Sequence, residues 1–201
     1  MAGSLARGKT TLVLMAGFGG SGKSESGKLW AASTGWALLD KDALTRPFVE
    51  RLLEVLGGDP DDRDTQFYVE NVRPLEYECL MKAIWENLEC GNSVVAVAPF
   101  IYEVVDARWM SRVSHRCDSM GVRLETFWVE SDEGTMHDRL TTRSASRDTW
   151  KLANWSTYTN RADFTVKPAL EYQLIDNRHS AVLPLAEQVE AAAHRVLSGA
   201  A

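Results

Sequence analysis

Cysteine is scarce in this 201-residue chain: Cys79, Cys90 and Cys117 are odd in number and show no Cys-x-x-Cys or Cys/His ligand spacing. Neither a disulfide framework nor a zinc site is expected from them, and a reducing cytoplasm is the compartment they fit. Histidine is as sparse. His115, His137, His179 and His194 fall without ligand spacing and read as surface or helix-packing residues. No segment nears the roughly 20 apolar residues of a membrane span. Met1–Arg7 carries no long apolar run or cleavage signal, so a soluble, unexported protein is expected. A basic excess is absent too. The 22 Lys and Arg face 28 Asp and Glu, a formal charge of -6, which argues against a protein whose main task is gripping a nucleic-acid backbone. The expected partner is a small molecule, with no nucleic acid and no membrane; a homodimer is left open. At this length one domain over 1–201 is the default.

What the chain does have is Gly17-Phe18-Gly19-Gly20-Ser21-Gly22-Lys23-Ser24, a full match to Gly-x-x-x-x-Gly-Lys-[Ser/Thr], directly after the apolar run Leu12–Ala16. In such a phosphate-binding loop Gly17, Gly19, Gly20 and Gly22 let successive backbone N–H groups, Ser21 included, turn inward around nucleotide phosphates. Lys23 reaches the outer phosphates, the Ser24 hydroxyl is placed to ligate magnesium, and the next helix points its N-terminus at the anion. Gly8-Lys9-Thr10 echoes the motif but precedes the strand and lacks the first glycine, so it is set aside as coincidence.

Five apolar runs, near Thr11–Ala16, Trp36–Leu39, Ser93–Ala98, Val122–Val129 and Tyr172–Ile175, alternate with helical patterns. This alternation predicts an α/β three-layer sandwich, a five-stranded parallel sheet with helices on both faces. Helices are expected from about Gly22 to Gly35, from Phe48 to Leu56 with Pro47 at the helix start, from Pro74 to Glu89, from Val104 to Met120 and from Pro184 to Leu197. Gly57-Gly58-Asp59-Pro60, continuing to Asp64, reads as a solvated acidic loop.

Carboxyl ends of strands in an open parallel sheet line the ligand crevice, and Asp40 and Asp42 follow the second run. Phosphoryl transfer to an alcohol needs a carboxylate to accept the hydroxyl proton and magnesium to neutralise charge on the outer phosphates. Asp42 is the expected base. Asp40 is the alternative base, or the residue that holds magnesium through water, and Asp42 has the further alternative of capping the next helix. Both carboxylates, with Arg46, would face the acceptor, and Lys41 is expected to point away. The third run, Val94 to Phe100, carries no terminal acid, so magnesium would rely on Ser24, the phosphates, water and the Asp40/Asp42 pair.

Arg139, Arg143 and Arg147 recur every four residues and would form a winding stripe on one helix, within a short helical lid over about 132–158. Guanidinium donors that a moving segment brings in after substrate binds stabilise charge on the transferred group. Arg139 and Arg143 are the expected catalytic donors and Arg147 a nucleotide clamp. The alternative is a solvated face paired with Glu133, Asp138 and Asp148. Trp150 and Trp155 either pack or line a substrate pocket.

The phosphate loop, the Asp after the second strand and the arginine-bearing lid before a short last strand together resemble the nucleoside-monophosphate-kinase-like group of small P-loop kinases, of AAA-family ATPase type. Within it the chain is similar to zeta toxins, chloramphenicol phosphotransferase, gluconate kinase and the kinase domain of polynucleotide kinase. The resemblance covers nearly the whole chain and departs at Glu25, where a Thr commonly follows the Lys-Ser pair. It implies the P-loop NTPase sandwich, ATP and Mg2+ as cofactors, Lys23 and Ser24 on phosphates and metal, and Asp42 as base. It also implies a loop near Asp176-Asn177-Arg178 beside the adenine, and acceptor contacts in the segment holding Tyr68, Asn71, Arg73 and Glu76. Of these Arg73 is the expected acceptor contact, against a helix-start salt bridge. The implied activity is transfer of the γ-phosphate of ATP to a hydroxyl of a metabolite, antibiotic or nucleotide-sugar. The alternatives are phosphorylation of a polynucleotide 5′-hydroxyl and an ATPase or switch acting on a macromolecular partner.

Overall fold

The computed structural model describes residues 9–199, so Met1–Arg7 and the Gly8 of the upstream echo lie outside the described residues. Strands β1 (Thr11–Ala16), β2 (Ala37–Asp40), β3 (Val94–Val97), β4 (Arg123–Glu130) and β5 (Gln173–Asp176) form one parallel sheet in the order β2-β3-β1-β4-β5. The helices are α1 (Lys23–Thr34), α2 (Lys41–Val55), α3 (Arg73–Glu89), α4 (Ile101–Val105), α5 (Ala107–Ser119), α6 (Glu133–Arg143), α7 (Thr149–Ala153), α8 (Trp155–Arg161) and α9 (Leu185–Ser198).

β1 is central because both its faces are apolar, and successive side chains of a strand go to opposite sides. Leu12, Leu14 and Ala16 pack with Leu80 and Ile84 of α3 and Met110 and Val113 of α5. Val13 and Met15 pack with Trp30 of α1 and Val189 and Ala193 of α9 on the other face. The expected three layers and five parallel strands are therefore present. Register brings the site to one edge. Met15 and Asp40 both lie opposite Val97, and the Gly17 N–H donates to the Pro99 carbonyl at 3.1 Å.

Several helix boundaries differ from expectation. α2 starts at Lys41 rather than Phe48 because Asp40 Oδ1 accepts from the backbone N–H groups of Asp42 (2.9 Å) and Ala43 (3.3 Å), a side-chain cap that Pro47 does not displace. Pro47 sits inside the helix, where it forfeits its own N–H bond without ending α2. Asp42 is thus a first-turn residue and not the cap. The expected helix from Val104 to Met120 is split at Asp106, whose extended backbone ends α4 and whose carboxylate caps α5 through the Arg108 N–H. A π-helical turn, Tyr68–Val72, leads into α3. The segment expected as a lid is not one helix: α6 ends at Ser144 in a left-handed conformation (φ 48°), and a 3-10 turn, Ser146–Asp148, precedes α7 and α8. Among the described residues no helix is long and apolar enough to cross a membrane.

α1 lies close on the sheet at Gly27, where a Cβ would stand 2.4 Å from Val97 Cγ2 and 3.2 Å from Leu38 Cδ1. Helix propensity alone would make Gly27→Ala a gain of about 1 kcal/mol. The overpacking makes it a net loss, expected at about 1–3 kcal/mol in denaturant unfolding. A stabilised variant would show that α1 can shift off β3 freely.

Candidate nucleotide and phosphoryl-transfer site

The loop joining β1 to α1 needs glycine for two separate reasons. Gly20 (φ 83°) and Gly22 (φ 100°) adopt left-handed backbone. A Cβ on Gly22 would also lie 2.0 Å from Asn177 Nδ2, and one on Gly20 would lie 3.0 Å from the Met136 carbonyl of α6. Gly22 caps α1 without a side chain, so the first-turn N–H groups of the helix are presented as a ready anion site. Ser21 Oγ is buried with no hydrogen-bond partner among the described residues. Lys23 is half-buried and folds back to donate to the Phe18 carbonyl at 3.1 Å. Burial pulls its pKa down to about 8 against the opposing attraction of Asp42 and Asp40. Bare N–H groups, an orphaned hydroxyl and a desolvated ammonium fit a polyphosphate.

The loop is braced from behind. The Ser21 carbonyl accepts from Asn177 Nδ2 (2.8 Å) and Arg139 Nη1 (3.2 Å), and Arg139 Nη2 donates to Asn177 Oδ1 (2.8 Å). Asn177, expected beside the adenine, is 7% exposed and has both ends of its amide committed to these partners. Arg139 is likewise a brace in this conformation. Gly19 faces α8, with the Tyr158 hydroxyl 3.8 Å from where its Cβ would be.

Ser24 Oγ donates to Asp40 Oδ2 at 2.8 Å. A hydroxyl and a carboxylate are the hard oxygen donors magnesium takes, and it commonly takes only one or two from protein, with phosphates and water completing the shell. Among the described residues no group of three His, Cys, Asp or Glu could hold a metal unaided. The donor set fits magnesium held together with a nucleotide.

Asp42 lies between two cations. Its Oδ1 is 3.0 Å from Lys41 Nζ and its Oδ2 accepts from Arg147 Nη1 at 2.6 Å. Burial would raise its pKa, but Lys41 and Arg147, with Lys23, outweigh that and hold the carboxyl well below the usual range. Lys41 does not point away. It is 5% exposed and pairs with Glu76 Oε1 at 2.7 Å. Glu76, expected near the acceptor, is 2% exposed and also accepts from Thr45 Oγ1 and the Tyr68 hydroxyl. Burial and Glu76 raise the Tyr68 pKa, so the phenol stays protonated and donates.

The other expected residues separate. Arg143 Nε donates to Asp148 Oδ2 at 2.9 Å, the paired-face alternative, while Arg147 sits beyond α6 on the 3-10 turn, off the expected stripe. Arg73 bonds Glu103 at 2.8 Å with its guanidinium 4.2 Å from the Tyr77 ring centroid and 4.7 Å from that of Tyr102. Arg46 is exposed and 3.8 Å from Glu50. Asn71 is exposed and donates to the Phe67 carbonyl. Trp155 packs between His137 and Tyr158, whereas Trp150 lines a cavity of about 1090 Å³. That cavity lies between the end of α2, the loop from Gly57 to Phe67 and the segment from Ser146 to Asn154, and Arg147 forms part of its wall. Asn177→Leu, which removes both amide bonds at similar size, is expected to weaken ATP binding about tenfold in calorimetric titration, the worth of one or two hydrogen bonds. An unchanged affinity would mean that the loop holds its shape without the brace.

A family model described as AAA domain matches residues 12–165. No curated protein matches the chain. Similar solved structures include a protein from Chloroflexus aurantiacus j-10-fl, at 16% identity over 93% of this chain and 98% of that one, with a TM-score of 0.66. A gluconokinase from Sinorhizobium meliloti 1021 is 19% identical over 96% of each chain, with a TM-score of 0.57. The APS kinase CysC of Mycobacterium tuberculosis, in complex with AMPPNP and APS, is 15% identical over 94% of this chain and 99% of that one, with a TM-score of 0.56. At such identities the likeness is one of fold. The family match runs from β1 through the phosphate loop to just beyond α8, and the chain belongs to the AAA domain family, with the P-loop kinase fold of the nucleoside-monophosphate-kinase-like group.

Proposed function

We propose that this protein is an ATP- and Mg2+-dependent phosphotransferase that moves the γ-phosphoryl group to a hydroxyl of a small molecule. The observation that carries the reading is the position of Asp42: its backbone N–H is held by Asp40, which accepts from Ser24 of the phosphate loop, and its carboxylate is joined by Arg147 to the wall of the large cavity. The cavity is the acceptor site. Asp59, Asp61, Asp62 and Asp64 in its lining repel a polynucleotide backbone, which favours a small acceptor.

Asp42 accepts the hydroxyl proton through Oδ2 as the hydroxyl oxygen bonds to the γ-phosphorus and ADP departs with the electrons of the broken P–O bond. Ser24 and Asp40 would hold magnesium, which neutralises charge on the phosphates. Lys23 supplies a further cation, and Arg139, Arg143 and Arg147 are the lid donors. Arg147 now occupies the oxygen that the proton needs. Its transfer to the phosphates as the lid closes would deliver a guanidinium to the transition state and free Asp42 in one movement. A weakly basic carboxylate suffices, because in a loose transition state the hydroxyl proton is lost late.

Lys23→Ala is expected to abolish turnover, and Asp42→Asn to lower kcat by about 10²–10⁴ with ATP affinity little changed. The assay is ADP release from ATP and Mg2+ with and without pooled hydroxyl-bearing metabolites, nucleosides, aminoglycosides and amino acids, reading an ester about 80 Da heavier than its parent, the mass a transferred phosphoryl group adds. Full activity in Asp42→Asn sinks the base assignment. ADP release indifferent to every pool, with no ester formed, sinks the small-molecule kinase.

A further inference from the structure

The buried pair of Lys41 and Glu76 takes no part in the chemistry above. Burying two charges gives little stability, since desolvation rivals their attraction, so the pair calls for another role. Glu76 is held on every side: Oε1 accepts from Lys41 Nζ (2.7 Å) and Thr45 Oγ1 (2.8 Å), and Oε2 accepts from the Tyr68 hydroxyl. The Thr45 hydroxyl lies equally near the Lys41 carbonyl (2.8 Å) and shares its single proton between that oxygen and Glu76 Oε1. The Lys41 ammonium is therefore pinned beneath α2, and from there it reaches Asp42 Oδ1 at 3.0 Å. Asp42 itself is the partly exposed member, with 39% of its side chain accessible. The terminal torsion of an aspartate is broad, so without a fixed partner either oxygen could turn toward the substrate.

Resting on the reading of Asp42 as base, we propose that Lys41, anchored by Glu76, is a positioning residue that holds Asp42 by Oδ1 and presents Oδ2 to the acceptor hydroxyl. The two cations beside Asp42 then differ in kind. Lys41 belongs to the floor of the site, fixed through Glu76 by side chains of α2, α3 and the turn before it, whereas Arg147 comes from the lid segment and is exchangeable. Orientation of a reacting group is worth orders of magnitude in rate without any change in nucleotide affinity.

The test is the double variant Lys41→Met/Glu76→Gln, which removes both charges at near-constant volume, leaves an amide oxygen at position 76 to accept from Tyr68 and an amide NH2 to donate to the Thr45 hydroxyl oxygen, and strands no lone buried ion. With ATP, Mg2+ and the pooled hydroxyl library as probe, kcat is expected to fall about ten- to a hundredfold with the ATP KM unchanged and the melting temperature near that of wild type. Lys41→Arg, which keeps a cation in place, is expected to lie between the two. Tyr68→Phe loosens Glu76 without removing a charge and decides the matter if the double variant does not fold; its kcat should fall severalfold at constant ATP KM. Unchanged kcat in either folded variant overturns the inference, as does a loss shared equally between kcat, ATP KM and melting temperature, which marks a structural role. Asp42→Asn measured in parallel separates the two readings. If it is fully active, or if wild type forms no ester, the base reading fails and takes this inference with it. If it is inactive while the double variant is not, only the role of Lys41 fails.

Discussion

Asp40 ends β2, and its one carboxylate joins three elements: Oδ1 caps α2, and Oδ2 accepts from Ser24 in the first turn of α1. Because the cap starts α2 at Lys41, the next two side chains leave the first turn in fixed directions, Lys41 down into the core toward Glu76 and Asp42 out toward Arg147. A helix beginning at Phe48 would have left both in a loop, with neither the buried ion pair nor the two-sided grip on Asp42. The strand register that sets Asp40 opposite Val97, and Met15 opposite the same residue, carries this cap to the mouth of the phosphate loop.

The site is a balance of charges brought together at some cost. Lys23, Lys41, Arg139, Arg143 and Arg147 converge on a region with Asp40, Asp42, Glu76 and Asp148, and Arg139, Arg143 and Arg147 each have protein partners: Ser21 and Asn177, Asp148, and Asp42 respectively. Such pairs resist exchange according to burial. One member of each pair, Asp42 and Arg143, is partly exposed, so on the proposed reading a polyphosphate with several charges would compete for Arg147 and Arg143. The Lys41 and Glu76 pair is enclosed and stays put through any such exchange. On the proposed reading, a fixed floor and an exchangeable roof would let the site hold one reactant rigidly and close over another.

Much of this was legible in the chain. The phosphate loop declares itself because its function lies in its backbone, and glycines at set spacing between an apolar run and a helix leave few other conformations. β1 and β3 were equally visible, since a strand buried on both faces reads as a continuous apolar run, whereas the edge strands β2 and β5 are only partly buried and give a shorter signal. The helix starts were less so. Pro47 carries a start signal, yet an aspartate one strand-end earlier outcompetes it once the sheet has placed that aspartate. The arginine stripe failed for a related reason: spacing by four predicts one face only while the helix lasts, and Ser144 ends it before Arg147.

Local sequence by itself determined what depends on neighbours within a few residues, namely the phosphate loop, the alternation that sorts β1 into two layers, and the presence of carboxylates after the second strand. Tertiary structure alone decided which partners those groups found. Lys41 meets Glu76 across 35 residues, Asp42 meets Arg147 across 105, and Asn177 meets the Ser21 carbonyl across 156. No periodicity encodes such pairings. They follow from burial, which forces every charge and amide enclosed by the packed sheet and helices to find an opposite charge or a hydrogen-bond partner wherever the topology brings one near.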